Sequence, residues 1–217
     1  MRGVYGWLRR RLSLDRNPSQ STFWDSRARQ FGIRAVYNIG HAPEELTAVD
    51  RRQKAVLFPV LRDYLTGNER AVLDLGCGVG RFSSELAEVV GAEVTAVDVS
   101  RELLALAPPN PKVRYVLSSA TRVPFAGESF DVVWVCLLLG ALRGELLNEA
   151  AHEIERVSKP GSLLFLVENT SAKPDGPTWA FRDAGAYLRL FPAFGLSAVT
   201  SYDDLGESIS VFVGRKH

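Results

Sequence analysis

The sequence predicts an α/β fold: a parallel sheet with crossover helices on both faces. From Arg70 onward, short apolar runs alternate with stretches of helical periodicity. The first run, "VLDLGCGVGRFS" (residues 72–83), collapses into Gly76, Gly78 and Gly80, as a strand that must turn sharply does. The chain then closes on "LSAVTSYDD" and "ESISVFVGR", separated by Leu205 and Gly206. That pattern predicts an antiparallel hairpin at the end of the sheet.

Each element has its own signal. Pro43-Glu44-Glu45 marks a helix start, since proline suits the first helical position and acids suit the positive end of the dipole. Leu46, Val49, Val56, Val60 and Tyr64 keep helical spacing, and Pro59 predicts a kink or restart. "AVLDLG" reads as the first strand. "GRFSSELAEVV" follows as a helix with Phe82, Leu86, Val89 and Val90 inward, stopped by Gly91. "EVTAVDVS" is the second strand, Ser100 caps "RELLALA", and Pro108-Pro109 ends that helix. "VRYVLSS" is the third strand. "FDVVWVCLL", the fourth, is apolar nearly throughout, as a strand covered on both faces must be. Leu146, Leu147, Ala150, Ile154 and Val157 form a helical stripe closed by Lys159-Pro160-Gly161. "SLLFLVEN" is the fifth strand, and a short helix is expected around residues 184–190.

Composition excludes several classes. At 217 residues the chain supports one good core, or a core with a small lid. Lys and Arg number 26 against 25 Asp and Glu, which gives no global reason to expect nucleic acid as a partner. No run reaches the roughly 18 apolar residues of a membrane span. Cys77 and Cys136 lack metal-type spacing and, with three histidines in the chain, zinc is not expected. Both read as reduced small hydrophobes, which favours a cytoplasmic setting. The first sixteen residues carry five arginines and one acid without the apolar stretch of a signal peptide. They read as a basic tail, or as an interfacial segment through Val4, Trp7, Leu8 and Leu12 that makes peripheral membrane contact. We take residues 1–42 as this tail plus an aromatic and arginine-rich cover, and residues 43–217 as the main domain.

Ligands of open α/β sheets sit beyond the carboxyl ends of the strands. Gly76 and Gly78 fit a G-x-G-x-x-G dinucleotide turn, but Arg81 occupies the third position and glycine comes one residue early. Asp98 ends the second strand 20 residues beyond Gly78, where a carboxylate can accept both hydroxyls of a ribose; the plainer reading is a capping or solvated aspartate.

"VLDLGCGVGRFS", "VTAVDVS", "VPFAGESFDVVWV" and "HEIERVSKPGSLLFLVE", in that order, together resemble class I S-adenosylmethionine (SAM)-dependent methyltransferases of the small-molecule type. The resemblance implies a seven-stranded Rossmann-like sheet of order 3-2-1-4-5-7-6 with the seventh strand antiparallel. It implies that Asp74 orients the glycine loop or meets the methionine ammonium, and that Gly76, Cys77 and Gly78 offer backbone to that moiety. Asp98 would hold ribose and Val99 would lie against adenine. Ser119, Ala120 and Thr121 would line the adenine edge, with Ser119 standing where many relatives carry aspartate. Cys136 and Leu137 would floor the site near the sulfonium.

Methyl transfer is in-line displacement at an activated carbon, so alignment and exclusion of water dominate. A hydroxyl acceptor also needs its proton removed. "VCLLLGAL" after the fourth strand lacks the Asn/Asp-Pro-Pro-aromatic signature of nucleobase-amino methyltransferases. Glu168 and His41 are the candidate bases, with loop ordering and a helix-end histidine as their plainer readings. Asn169, which follows Glu168 at the end of the fifth strand, and Tyr37 are candidates for substrate binding. Trp179 and Arg182, in a long loop, are candidates for the acceptor wall. In the cover, Trp24, Arg27, Arg29, Arg34 and Tyr37 can close over the cofactor, with Arg29 expected to pair with its carboxylate. The expectation is a SAM-dependent methyltransferase acting on a small molecule at a hydroxyl oxygen, a sugar first, as monomer or homodimer. Rivals are an RNA methyltransferase, a nicotinamide oxidoreductase and a SAM-binding protein without transferase activity.

Overall fold

The computed structural model describes residues 18–217, so the basic tail and its candidates Val4, Trp7, Leu8 and Leu12 lie outside the described residues. The sheet has seven strands: β1 (Ala71–Leu75), β2 (Glu93–Asp98), β3 (Val113–Leu117), β4 (Phe130–Cys136), β5 (Ser158–Asn169), β6 (Ser197–Asp204) and β7 (Glu207–Arg215). Their order is β3-β2-β1-β4-β5-β7-β6, with β7 antiparallel to β5 and β6. The strand order reverses between β1 and β4, which places a crevice above Asp74 and Trp134, partners in register.

The period-2 geometry of a strand divides the core. On β4, Val132 and Trp134 enter one cluster, whereas Val133 and Val135 enter the other. The described α-helices are α1 (Pro18–Phe31), α2 (Leu46–Tyr64), α3 (Ser83–Val90), α4 (Arg101–Ala105), α5 (Glu145–Val157) and α6 (Ala184–Leu190). Leu57 and Leu61 of α2 and Leu86 of α3 cover the first cluster; Ile154 and Val157 of α5 and Tyr187 of α6 cover the second. Trp134 stacks on Phe165 at 4.5 Å and on Phe58 at 5.8 Å, joining sheet to helix by aromatic contact.

Several local expectations shift. The proline-led start is a short 3-10 turn, Pro43–Glu45, and α2 continues through Pro59 as one helix. Pro59 and Ala55, whose carbonyl loses its partner, both lie on the exposed side, where water can satisfy that oxygen. The buried stripe of α2 is Leu46, Val49, Gln53, Leu57, Phe58 and Leu61, so Val56 and Val60 sit at its margin and Tyr64 outside it. Strand β4 stops at Cys136 because Leu137 turns to φ 54°. Ser100 does cap α4, its Oγ accepting from Leu103 N–H at 3.1 Å. Leu205 (φ 57°) and Gly206 (φ 78°) form the two-residue hairpin turn, both in the left-handed region such turns require.

Candidate active site

The glycine loop follows β1 directly. Gly76 and Cys77 both donate their N–H to Val97 O, at 2.8 and 3.0 Å, which folds the loop over the end of β2. Gly76 and Gly78 have φ of 75° and 57°, and a Cβ would meet Leu138 at 2.8 Å and Val36 at 2.7 Å respectively. Conformation and space therefore both demand glycine here.

Two buried acids support this loop. Asp74 Oδ2 accepts from Ser83 Oγ at 2.6 Å. Burial pushes its carboxyl up to about 7, with Asp98 adding to the rise and the Ser83 hydrogen bond opposing it. Asp98 accepts from Gly78 N–H and Ser100 N–H, both at 2.8 Å. Burial raises it to about 6 against those bonds. A carboxylate has about four lone-pair positions, so Asp98 retains capacity for a ligand hydroxyl.

Above the strand ends lies a cavity of about 330 Å³. Such a volume falls at the small end of the roughly 300–1,000 Å³ range of small-molecule sites. Every residue expected at the cofactor site except Arg29 lines it: Asp74, Gly76, Cys77, Gly78, Asp98, Val99, Ser119, Ala120, Thr121, Cys136 and Leu137. Ser119 Oγ and Thr121 Oγ1 are 3.0 Å apart. Burial pushes both thiols up, so neither Cys77 nor Cys136 is a ready nucleophile. Among the described residues, no cluster of His, Cys, Asp and Glu could hold a metal ion.

The cover closes the cavity from above. Asp25 Oδ1 accepts from Ser100 Oγ at 2.6 Å, tying α1 to the start of α4. Arg29 faces away: its side chain is 63% exposed and pairs with Glu102 at 2.8 Å, so it does not reach the cavity. Arg27 does reach it. Arg27 Nε donates to Ala35 O at 2.8 Å, and no carboxylate among the described residues forms an ion pair with it. Burial lowers the Arg27 pKa, the direction expected of a partly desolvated cation. Tyr37 lines the cavity but is fixed on the cover side. Its hydroxyl donates to Asp50 at 2.9 Å, and the Arg81 guanidinium lies 3.9 Å above its ring. Burial raises the phenol to about 12, so it is a neutral donor. Arg81 also donates to Asp50 of α2 at 2.7 Å, which uses the residue that breaks the dinucleotide pattern to fasten loop to α2.

Three expectations about the far half need correction. Glu168 is wholly buried and outside the cavity lining. Its oxygens accept from the N–H groups of Leu138 (2.9 Å), Leu139 (2.6 Å) and Gly140 (3.3 Å). Burial raises it to about 7 against those bonds and the nearby Arg182 charge. It orders the loop after β4 and has no access to an acceptor. Arg182 braces the same loop from the carbonyl side, donating to Leu139 O at 2.9 Å and Leu142 O at 2.6 Å. His41 is 2% exposed, outside the lining, and its Nε2 lies 2.6 Å from Asp204 Oδ1. It cannot touch an acceptor, although Asp204 lines the cavity. His152 is exposed.

Trp179 and Asn169 do line the cavity. Trp179 sits so close to Gly140 that a Cβ there would meet its ring at 2.1 Å. Asn169 Nδ2 donates to Glu207 Oε2 at 2.6 Å. Sequence reasoning missed Asp204 and Glu207. Their signal was their place beside the closing turn, which brings the end of β6 and the start of β7 to the crevice.

A parallel sheet closed by this hairpin, with a glycine loop and a strand-end acid at one cavity, defines the Rossmann-like methyltransferase class. Residues 73–166 match the family described as "Methyltransferase domain". Over that stretch, somewhat under half of the chain, it resembles the SAM-dependent methyltransferases. It is 32% identical to a demethylmenaquinone methyltransferase of Chlorobaculum parvum over 55% of this chain and 50% of that one. A demethylmenaquinone methyltransferase of Paenarthrobacter aurescens is 28% identical over 95% of this chain and 78% of its own length. The match therefore spans only about half the length of the Chlorobaculum relative. A solved structure from Pyrococcus horikoshii OT3 shares the fold, with a TM-score of 0.66, 21% identity, and coverage of 88% of this chain and 99% of that chain.

Proposed function

We propose that the chain transfers a methyl group from SAM to a hydroxyl oxygen of a small, largely apolar molecule. The carrying observation is the single cavity in which strand-end residues of β1 to β4 meet an aromatic and apolar wall from the cover and the loop before α6. The residues present suit SAM. Glycines 76 and 78 keep side chains out of the loop, Asp98 has spare acceptor capacity toward ribose, and Asp74 is available to an ammonium. Arg27, which lines the cavity and has no acid partner among the described residues, suits the carboxylate of the same amino-acid tail. SAM supplies a methyl group already activated by a sulfonium. The protein aligns the acceptor and keeps water out.

On the acceptor side, Leu138, Leu142, Leu146, Trp179 and Phe181 give the wall its apolar character. That wall favours a hydroxylated ring with apolar flanks over a free sugar, the first expectation from sequence. Two relatives are named for ring compounds, demethylmenaquinone, a quinone, and 2-methyl-6-phytyl-1,4-hydroquinone, and those names support an apolar ring acceptor without specifying methylation at oxygen. Residues 18–42 serve as a cover over the cofactor. The test is transfer of labelled methyl from SAM into a panel of naphthols, hydroquinones, sugars, lipids and RNA. Transfer into the hydroxylated rings is expected; transfer into RNA alone would overturn the reading.

A further inference from the structure

The polar groups of the cavity divide with the sheet. Asp74 and Asp98 serve the half above β1 to β3. Asn169, Asp204 and Glu207 come from β5, β6 and β7 on the acceptor half. Two of these three are occupied by each other and by a cation: Asn169 donates to Glu207, and Lys173 Nζ meets Glu207 Oε1 at 2.7 Å.

Asp204 differs. Its Oδ1 is held by His41 Nε2 at 2.6 Å, while no protein group among the described residues bonds its Oδ2. An ionised carboxylate only accepts, so the imidazole proton belongs on Nε2, donating to Oδ1. The other ring nitrogen, Nδ1, faces Glu45 Oε2 at 3.9 Å. The histidine is clamped by the chain around it. Arg34 Nη2 donates to His41 O at 3.0 Å, and Gly40 seats against Leu205 of the hairpin turn so closely that a Cβ would meet Cδ1 at 2.8 Å. A buried imidazole thus holds one carboxylate oxygen of a residue that lines the cavity, and the other oxygen keeps its acceptor capacity.

We propose that Asp204 Oδ2 accepts the hydrogen bond, and then the proton, of the acceptor hydroxyl, with His41 as the residue that positions it. The acceptor O–H bond breaks as an O–H bond forms on Asp204. The electron pair stays on the acceptor oxygen, which becomes the nucleophile, and the proton leaves to solvent when the product departs. This rests on the hydroxyl reading above. It inverts the expectation drawn from sequence, in which His41 itself faced the acceptor.

The test measures binding of 1-naphthol and its methyl ether, 1-methoxynaphthalene, to the protein saturated with S-adenosylhomocysteine. The wild-type complex is expected to prefer the naphthol by about tenfold or more, the worth of a hydrogen bond to a charged acceptor. Asp204→Asn, which offers a donor to either oxygen, is expected to erase that preference and to leave S-adenosylhomocysteine affinity unchanged. His41→Leu is expected to weaken the preference, and His41→Gln, which keeps a donor toward Asp204, to restore part of it. A preference that survives in Asp204→Asn overturns the assignment while leaving the hydroxyl reading intact. A wild-type complex with no preference overturns the hydroxyl reading and the assignment with it. Wild-type turnover numbers retained by Asp204→Asn on a hydroxylated acceptor would remove the proton-accepting role.

Discussion

At the residue scale, the cavity rests on a few acids and two arginines, Arg27 and Arg81. Asp98 was legible because a strand end and its spacing from the glycine loop are sequence properties. Its bonds to Gly78 and Ser100 were not, because they depend on how tightly the loop folds back. Asp98→Ala is expected to weaken S-adenosylhomocysteine binding by roughly 1–3 kcal/mol, measured by calorimetry. Unchanged affinity would remove it from the site. Arg27 and Arg29 illustrate what a sequence withholds. Two positions on a helix differ by about 200° around its axis, so one faces the cavity and the other faces solvent. An arginine-rich segment lacks the clear apolar stripe that would set that rotation. Arg27→Gln is expected to weaken S-adenosylhomocysteine about tenfold and 5′-methylthioadenosine, which lacks the amino-acid tail, hardly at all. Equal losses for both ligands would contradict a carboxylate contact.

At the scale of elements, the loop after β4 shows why catalytic candidates were misplaced. Glu168 ends a strand that points toward the crevice, which made it a reasonable base. The left-handed turn at Leu137, however, leaves successive N–H groups aimed at that carboxylate. Backbone demand is invisible in a sequence until the turn is known. Glu168→Ala would strand three donors, two of them buried and that of Leu138 half-buried, and a loss of roughly 3 kcal/mol or more in unfolding free energy is expected by urea denaturation. Wild-type stability would contradict the bracing role. The periodic elements were legible for the complementary reason: strand runs and the α5 stripe follow from burial alone. In α2 the buried stripe drifts from Leu46 and Val49 to Leu57, Phe58 and Leu61, although at about 100° per residue Val60 and Tyr64 stay closer to the line of Leu46 and Val49, so periodicity alone does not set the inward face of its second half.

For the whole molecule, three buried acids set a pH dependence. Asp74 is raised from 3.8 to about 7, Asp98 from 3.8 to about 6, and Glu168 from 4.5 to about 7, each by burial first. The folded chain therefore holds more protons than the unfolded chain between those values. The stabilising contribution is complete below about 4 and is lost as pH rises through 6 to 7. Thermal melting of the ligand-free protein is expected to show this decline, with a shallower slope in Asp74→Asn. A slope unchanged in that variant would contradict the raised Asp74. The overall topology was legible because motif order and the closing hairpin fix it. The pairing of cover with sheet was not, since His41 and Asp204 lie 163 positions apart.

The central claim is that the strand-end cavity is built for SAM. Its most direct test is calorimetric titration of the full chain with S-adenosylhomocysteine and, separately, with NADH. Saturable binding of S-adenosylhomocysteine at one site per chain, with no heat from NADH, is the expected result. Saturable NADH binding with none for S-adenosylhomocysteine would contradict it.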